Sequence, residues 1–465
     1  MPEPDPFPSD GLLHTNAWCG EEANGPIAPG SIGWASRHDL SRPRQFMAPK
    51  QIDLSNWRDP RVGWGVILPD RDDLPAAKRS TAADAPESIQ KLIAHRGSAP
   101  VFRYRSDLDD GRIRRYAADG QPLDIQLRGA RGIGPTSVPY YLLIVGSPSQ
   151  IPWKMQYRLQ LDAFVGRLDL DPPGLERYVD CLIGGWPNNT VPRTPVIWAT
   201  DHGHPDITHL MRKGIAEKLS KRFDTDTDFQ MTGGFLVDEN ASHSALAFAL
   251  AQRNPAFVMT SSHGATFPLN NPNAMRAQLG LMVDNNKTLM DLPKVSAAWK
   301  VAGGIWYAHA CCSAGADGVS AFQGLVGAGS SLAETLKSIA NVGACSAPLP
   351  QILLGRSNPA RAFIGHVEPT FDWTLRDPIT GQLTTAHIVE SLYDQLHLKT
   401  RPPIGLALNR YFDAVAGTLL DYADAIDEID AQIPGSPERA RRNKLVALDR
   451  LAMVILGDPT VSLPQ

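Results

Sequence analysis

The sequence predicts an α/β protein built on a doubly wound, mostly parallel sheet. Short apolar runs alternate along the chain with amphipathic helical stretches, the order that puts helices on both faces of a parallel sheet. Turn-forming clusters of Gly, Pro, Asn and Ser punctuate the runs. With 465 residues, 43% of them hydrophobic, the chain is too long for one ordinary domain and can bury a large core.

Residues 1–60 are rich in Pro, Gly, Asn and Trp and read as an extended arm or irregular cover. Together with residues 61–137 they form an expected N-terminal region of irregular and α+β character, a candidate regulatory surface. Strand-like pieces there are "GWGVILPD" and "APVFRYR", and "APESIQKLIAHRG" is helical. Residues 138–190 form the first α/β segment. It holds a buried strand in "VPYYLLIVGSPSQIPW", another in "DAFVGRLDLD", and the helix "PPGLERYVDCLIGG", opened by proline and ended by glycine. After the linker "WPNNTVPRTP", residues 195–384 repeat the alternation. "VIWAT", "FQMTGGFLV", "AFVMTSS", "GIWYAHA", "VGACSA" and "RAFIGHV" are strands, and "DITHLMRKGIAEKLSKRF", "SHSALAFALAQRN" and "SSLAETLKSIA" are helices with serine or aspartate at their starts. Residues 385–465 read as helical, through "SPERARRNKLVALDRLAMVIL", before the closing "LGDPTVSLP".

A formal charge of −4 gives no electrostatic reason to expect nucleic acid or an anionic membrane as partner. The basic stretch Arg112, Arg114, Arg115, Arg128 and Arg131 follows Asp107, Asp109 and Asp110 and reads as a solvated surface. The five cysteines, Cys19, Cys181, Cys311, Cys312 and Cys345, form no C-x-x-C pair, so no disulfide framework or zinc finger is expected. No secretory signal and no apolar run of roughly 18–20 residues is visible, which makes a cytoplasmic location the expectation.

Two apolar runs stop at chemically able residues: "FVMTSSHGAT" at His263, and "IWYAHACCSAGAD" at Cys311 and Cys312. In an open parallel sheet, ligands collect beyond the carboxyl ends of the strands. Neighbouring strands lie about 4.8 Å apart, so two such ends can meet without sequence proximity. A cysteine of ordinary pKa near 8.5 needs an imidazole or another positive field to become a thiolate nucleophile. Gly264 permits close approach, and its N–H with that of Cys311 can form an oxyanion hole. Taken singly, His263 reads equally as a satisfied strand-end residue and Cys311 as a small buried hydrophobe.

The order and flanks of these pieces, Ser262-His263-Gly264 and His309-Ala310-Cys311 about 50 residues on, resemble the clan CD cysteine peptidases: caspases, gingipains, separases and CHAT-domain bacterial proteases. "YYLLIVGSPSQIPW", "DAFVGRLDLDPPGLERYV" and "ILGDPTVSLP" are similar to segments of the gingipain-like branch, and "GLVGAGSSLAETLKSIANVGACSA" to CHAT-like proteins. The resemblance covers roughly 138–370 and the last ten residues. It implies a caspase-like catalytic domain over 195–384, preceded by a gingipain-like α/β subdomain and followed by a helical tail. It also implies endopeptidase activity through His263 and Cys311, with Cys312 as a rival nucleophile. Asp201, after "VIWAT", would orient the imidazole. Glu368, Asp372 and Trp373 would build the first specificity pocket and favour a basic P1 residue, Arg over Lys. No cofactor is implied; a structural calcium ion is allowed by analogy, although no loop demands it. The implied partners are a protein substrate and an activating sensor or regulatory protein of a stress or antiphage defence system, with no nucleic acid and no membrane.

Competing readings differ in what they need. "VGAGSS" imitates a dinucleotide fingerprint but has Leu332 where a third glycine belongs, and reads better as a capped helix start. His309, Cys311 and Cys312 as metal ligands would have to chelate from near-consecutive strand positions. A catalytically silent caspase-like scaffold that binds partners remains the alternative function. The enzyme reading needs one imidazole and one thiol on the same rim, with the sulfur accessible.

Overall fold

The computed structural model describes residues 12–35 and 52–465 other than 98, 110 and 188. Of the expected N-terminal arm, 1–11 and 36–51 lie outside the described residues. In chain order the strands are β1 Leu12–Trp18, β2 Glu22–Pro26, β3 Trp64–Pro69, β4 Val101–Tyr104, β5 Arg112–Tyr116, β6 Pro122–Gln126, β7 Tyr141–Val145, β8 Phe164–Leu168, β9 Val196–Ala199, β10 Phe235–Leu236, β11 Phe257–Ser261, β12 Gly264–Ala265, β13 Ile305–His309, β14 Gly315–Ala316, β15 Cys345–Ser346, β16 Ala362–His366 and β17 Met453–Gly457.

Twelve of them form one sheet in the order β10-β9-β11-β13-β16-β17-β8-β7-β3-β4-β5-β6. Neighbours are parallel except at β16/β17, β4/β5 and β5/β6. The α/β class and the mostly parallel sheet are therefore as the sequence predicts. Every residue of β7, β8, β9, β11, β13, β16 and β17 is buried, as strands covered on both faces must be. The sheet passes through all four stretches of the sequence division, and the boundary at 137/138 falls between β6 and β7 of the same half.

Several helix starts follow their sequence signals. Asp171 accepts from Gly174 N–H before Pro172–Gly184, Ser242 caps His243–Arg253, and Ser330 caps Ser331–Val342 through Ala333 N–H. Each such cap contributes about 1 kcal/mol. The glycine-serine stretch is thus the capped helix start. No described helix is long and apolar enough to cross a membrane.

The structure departs from expectation at three places. "FQMTGGFLV" contributes only the two residues of β10 at the sheet edge, and "VGACSA" only β15, which pairs with β14 outside the large sheet. The last helix stops at Leu451, and "MVILG" becomes β17, antiparallel to β16 and parallel to β8. An apolar run this short fits a buried helix or a buried strand equally, and a central sheet slot decides it. Because β17 reverses direction against β16, the two parallel halves have their carboxyl ends at opposite edges of the sheet. Within the described residues of the arm, β1 and β2 pair antiparallel, and β1 pairs in parallel with β12 at the carboxyl end of β11.

Candidate active site

β11 and β13 run side by side in parallel, with Ser261 opposite His309. The ladder continues past the strand ends, where Ser262 N–H donates to His309 C=O at 3.2 Å. At the next step a Cβ on Gly264 would come within 2.0 Å of the Cys311 carbonyl oxygen. Only glycine tolerates this approach, which explains why it must follow the histidine. His263 and Cys311 therefore stand on the same rim, at adjoining carboxyl ends of neighbouring parallel strands.

β9 lies on the other side of β11, and Thr200 N–H donates to Ser261 C=O at 3.0 Å. The loop after β9 supplies the carboxylate for His263, but from Asp206 rather than Asp201. His263 Nε2–H donates to Asp206 Oδ2 at 2.8 Å. Asp201 instead accepts from His209 Nδ1 at 2.9 Å, Arg212 Nη1 at 3.2 Å and Gly203 N–H at 2.9 Å. The cause of this exchange of partners is local. Gly203, at φ +84°, turns the chain, and Asp206 becomes the cap of the helix Ile207–Met211, with Oδ1 on Thr208 N–H at 2.8 Å. That leaves Oδ2 for the imidazole. In sequence Asp206 showed only as a helix start.

Burial alone would raise the Asp206 carboxyl, but His263, His202 and Thr208 outweigh it and hold the group far below the usual carboxylate range. With Nε2–H engaged, His263 Nδ1 is left buried and unpartnered, with its lone pair available as a base. His202 stacks on His263, centroids 5.4 Å apart, and its Nδ1 lies 3.8 Å from Asp206 Oδ2. One ligand atom each from His202, Asp206 and His263 falls within 4.8 Å of the others, so these are the residues that could hold a metal ion. His309 belongs to no such group among the described residues; it bonds Tyr307 Oη at 2.8 Å and packs edge-on against His366.

The thiol does not meet the expectation of an accessible sulfur. Cys311 is completely buried beneath β1. Its S–H donates to Asn16 Oδ1, Thr15 Oγ1 lies 3.2 Å from Sγ, and Thr370 N–H donates to Sγ at 3.2 Å. Trp18 covers the imidazole, its ring centroid 5.3 Å from that of His263. Burial pushes the Cys311 thiol well above its ordinary pKa, so in this state it is protonated. The physical reason is β1, a segment of only weak periodicity in the sequence, lying across the rim.

Cys312 adopts a left-handed φ of +55° and donates its N–H to Glu368 C=O at 3.0 Å. Its own buried thiol is also raised, by desolvation and by Cys311, Glu368 and Cys345. The three residues expected to form a first pocket divide. Glu368, at φ +67°, is buried against the loop after β14, with Oε2 accepting from Ala321 N–H at 3.2 Å and Oε1 unpartnered. Asp372 sits near His14 of β1 instead, and Trp373 packs against the cluster containing Leu13, Trp34, Phe322 and Phe371.

Glu368 makes stability pH-dependent. Desolvation raises its carboxyl from 4.5 to about 8. The folded state keeps this proton where the unfolded chain loses it, so its contribution is full below pH 4.5 and is lost as pH rises through 8. Buried Asp372 and Asp449, both raised to about 7, act in the same direction. Glu368→Gln should therefore be more stable than the native chain by about 1–3 kcal/mol at pH 8.5 and nearly equal to it at pH 5. Urea unfolding at the two pH values reads this difference.

Comparison of the chain with protein-family models, with curated proteins and with solved structures found no match.

Proposed function

We propose that this chain is a cysteine endopeptidase of the caspase and gingipain kind, with His263 and Cys311 as its dyad and a closed resting state. The observation that supports it is the position of His263 and Cys311 at adjoining ends of neighbouring parallel strands, with His263 Nε2 held by Asp206 at 2.8 Å and Nδ1 left without a partner. On this reading β9, β10, β11, β13 and β16 are the caspase-like half of the sheet, and β7 and β8 belong to the gingipain-like subdomain.

In the open enzyme the Cys311 proton passes to His263 Nδ1 and the thiolate attacks the scissile carbonyl carbon. The N–H groups of Gly264 and Cys311 receive the oxyanion. His263 then protonates the leaving amine as the C–N bond breaks, and water hydrolyses the thioester. Asp206 fixes the tautomer throughout and stabilises the imidazolium. Glu368, a buried carboxyl with one unpartnered oxygen, is the group that would meet a P1 guanidinium, which ionises it and pairs with both oxygens. Control by a sensor or partner, in stress or antiphage defence, belongs to the same proposal by resemblance.

A scaffold that binds partners without catalysis is the second reading, favoured by the covered thiol. A fluorogenic peptide panel varying only P1 separates the two. The enzyme reading expects hydrolysis after Arg, less after Lys, and at least tenfold less of the Arg preference in Glu368→Gln. Turnover that persists in Cys311→Ala, or no turnover from a chain whose Cys311 is shown to be alkylated freely, overturns it.

A further inference from the structure

β1 is bound by backbone on both sides, as an extended ligand would be. On one side Ala17 and Trp18 pair in parallel with Gly264 and Ala265, and Thr266 N–H donates to Trp18 C=O at 2.8 Å. On the other, Thr15 bridges Phe371 in antiparallel sense, Asn16 N–H donates to Thr370 C=O at 3.4 Å, and Thr15 Oγ1–H donates to the same oxygen at 2.8 Å. The two walls are the segment immediately after His263 and the segment whose Thr370 N–H touches the Cys311 sulfur. Between them, the Asn16–Ala17 portion of the chain passes over the dyad.

We propose that the slot between Gly264–Ala265 and Thr370–Phe371 is the substrate cleft, that it takes an extended polypeptide by strand addition, and that Leu12–Trp18 is its internal occupant, which must leave before a substrate enters. The inference rests on the peptidase reading of the same site. Strand addition gives affinity through main-chain hydrogen bonds and leaves selectivity to the pockets under alternate side chains. Those pockets are visible in what β1 puts into them. Leu13 is fully buried in the cluster of Phe322, Leu325 and Phe371, so the cleft selects an apolar side chain three positions before the residue at the thiol. The occupant is an inhibitor because the Asn16 amide oxygen accepts the thiol proton and Trp18 covers His263. The sulfur thus stays protonated and separated from the base.

The occupant can be released without removing its neighbours. Gly20, at φ +105° with open space around it, lies in the exposed turn between β1 and β2. Beyond that turn, Trp34 Nε1–H donates to Ala321 C=O at 3.1 Å, and Lys444 Nζ donates to Trp34 C=O, so the part C-terminal to the turn is anchored separately. A recognition sequence for a site-specific protease inserted between Gly20 and Glu21 of the full chain allows cutting after folding.

The readouts are the iodoacetamide alkylation rate of Cys311 by peptide mass spectrometry, and hydrolysis of a fluorogenic peptide. Cutting, with loss of the N-terminal fragment confirmed by gel filtration, should raise Cys311 alkylation at least about a hundredfold. A synthetic peptide of residues 12–18 should then restore protection, and replacing its Leu13 by Asp should abolish that protection. If the cut fragment stays bound, Asn16→Arg in the uncut chain, too large for the space beside the sulfur, should raise alkylation instead. Unchanged alkylation after confirmed release, unchanged alkylation in Asn16→Arg, or a peptide that does not protect, overturns the proposal. Restored protection without hydrolysis of any peptide keeps the cleft and its occupant and overturns the peptidase reading alone.

Discussion

On the peptidase reading, Cys311→Ala is expected to abolish peptide hydrolysis by the opened chain, a loss of at least about 10³-fold, while Cys312→Ala should retain most of it. Sequence left both sulfurs in play. Tertiary structure separates them by surroundings. Cys311 Sγ contacts the two residues of β1 that cross the rim and the Thr370 N–H of the facing wall. Cys312 has its N–H committed to Glu368 C=O and its thiol raised by burial with Cys311, Glu368 and Cys345. His263→Ala should match Cys311→Ala, because the two act as one unit and their losses do not add. Asp206→Asn keeps the shape of the pair but leaves an amide facing His263 Nε2, and with it the wrong tautomer. It should lower kcat by several hundredfold with little change in KM, whereas Asp201→Asn should leave kcat within about twofold. Steady-state kinetics on the opened chain, with each variant, read all five results. Hydrolysis that follows Cys312 or Asp201 instead would overturn the assignment.

Asp458→Ala is expected to cost about 3–5 kcal/mol of stability, the range for removing one partner of a buried ion pair. Asp458 is fully buried just after β17. Its Oδ2 accepts from Trp64 Nε1–H at 3.0 Å and lies 3.4 Å from Arg96 Nη2. Oδ1 accepts from Thr460 N–H at 2.8 Å, and the Asp458 N–H donates to Tyr178 Oη at 2.8 Å. The carboxylate therefore joins β3, the end of the helix Glu87–His95 and the closing segment, and the backbone N–H of the same residue ties in the helix Pro172–Gly184. Alanine would leave the Arg96 guanidinium, sandwiched near Trp57 and Trp64 and with its pKa already lowered by desolvation, without its anion. Urea midpoints should show the loss, and Arg96→Met combined with Asp458→Leu should recover part of it. A loss below 1 kcal/mol would mean that the pair does not hold the seam.

The candidate site was partly legible because two of its parts are local. An apolar run ending in His263-Gly264 and another ending in Cys311 announce two buried strands and two rim residues, and parallel-sheet topology does the rest. Asp206 was invisible as a partner because its signal, an aspartate before an amphipathic helix, is also that of a plain cap. The resemblance implies one pocket for Glu368 and Asp372, but the left-handed turn at Glu368 sends them to different surroundings.

By itself the sequence determined the class of fold, the buried strands and most helix starts, since periodicity, caps and breakers act within a few residues. It also placed the imidazole and the thiol at strand ends. Only tertiary structure decided that "MVILG" becomes the strand joining two oppositely directed half-sheets, and that a weakly periodic N-terminal segment lies over the sulfur. Both depend on partners hundreds of residues away, whose backbone hydrogen bonds and buried faces complete what the local chain leaves undetermined.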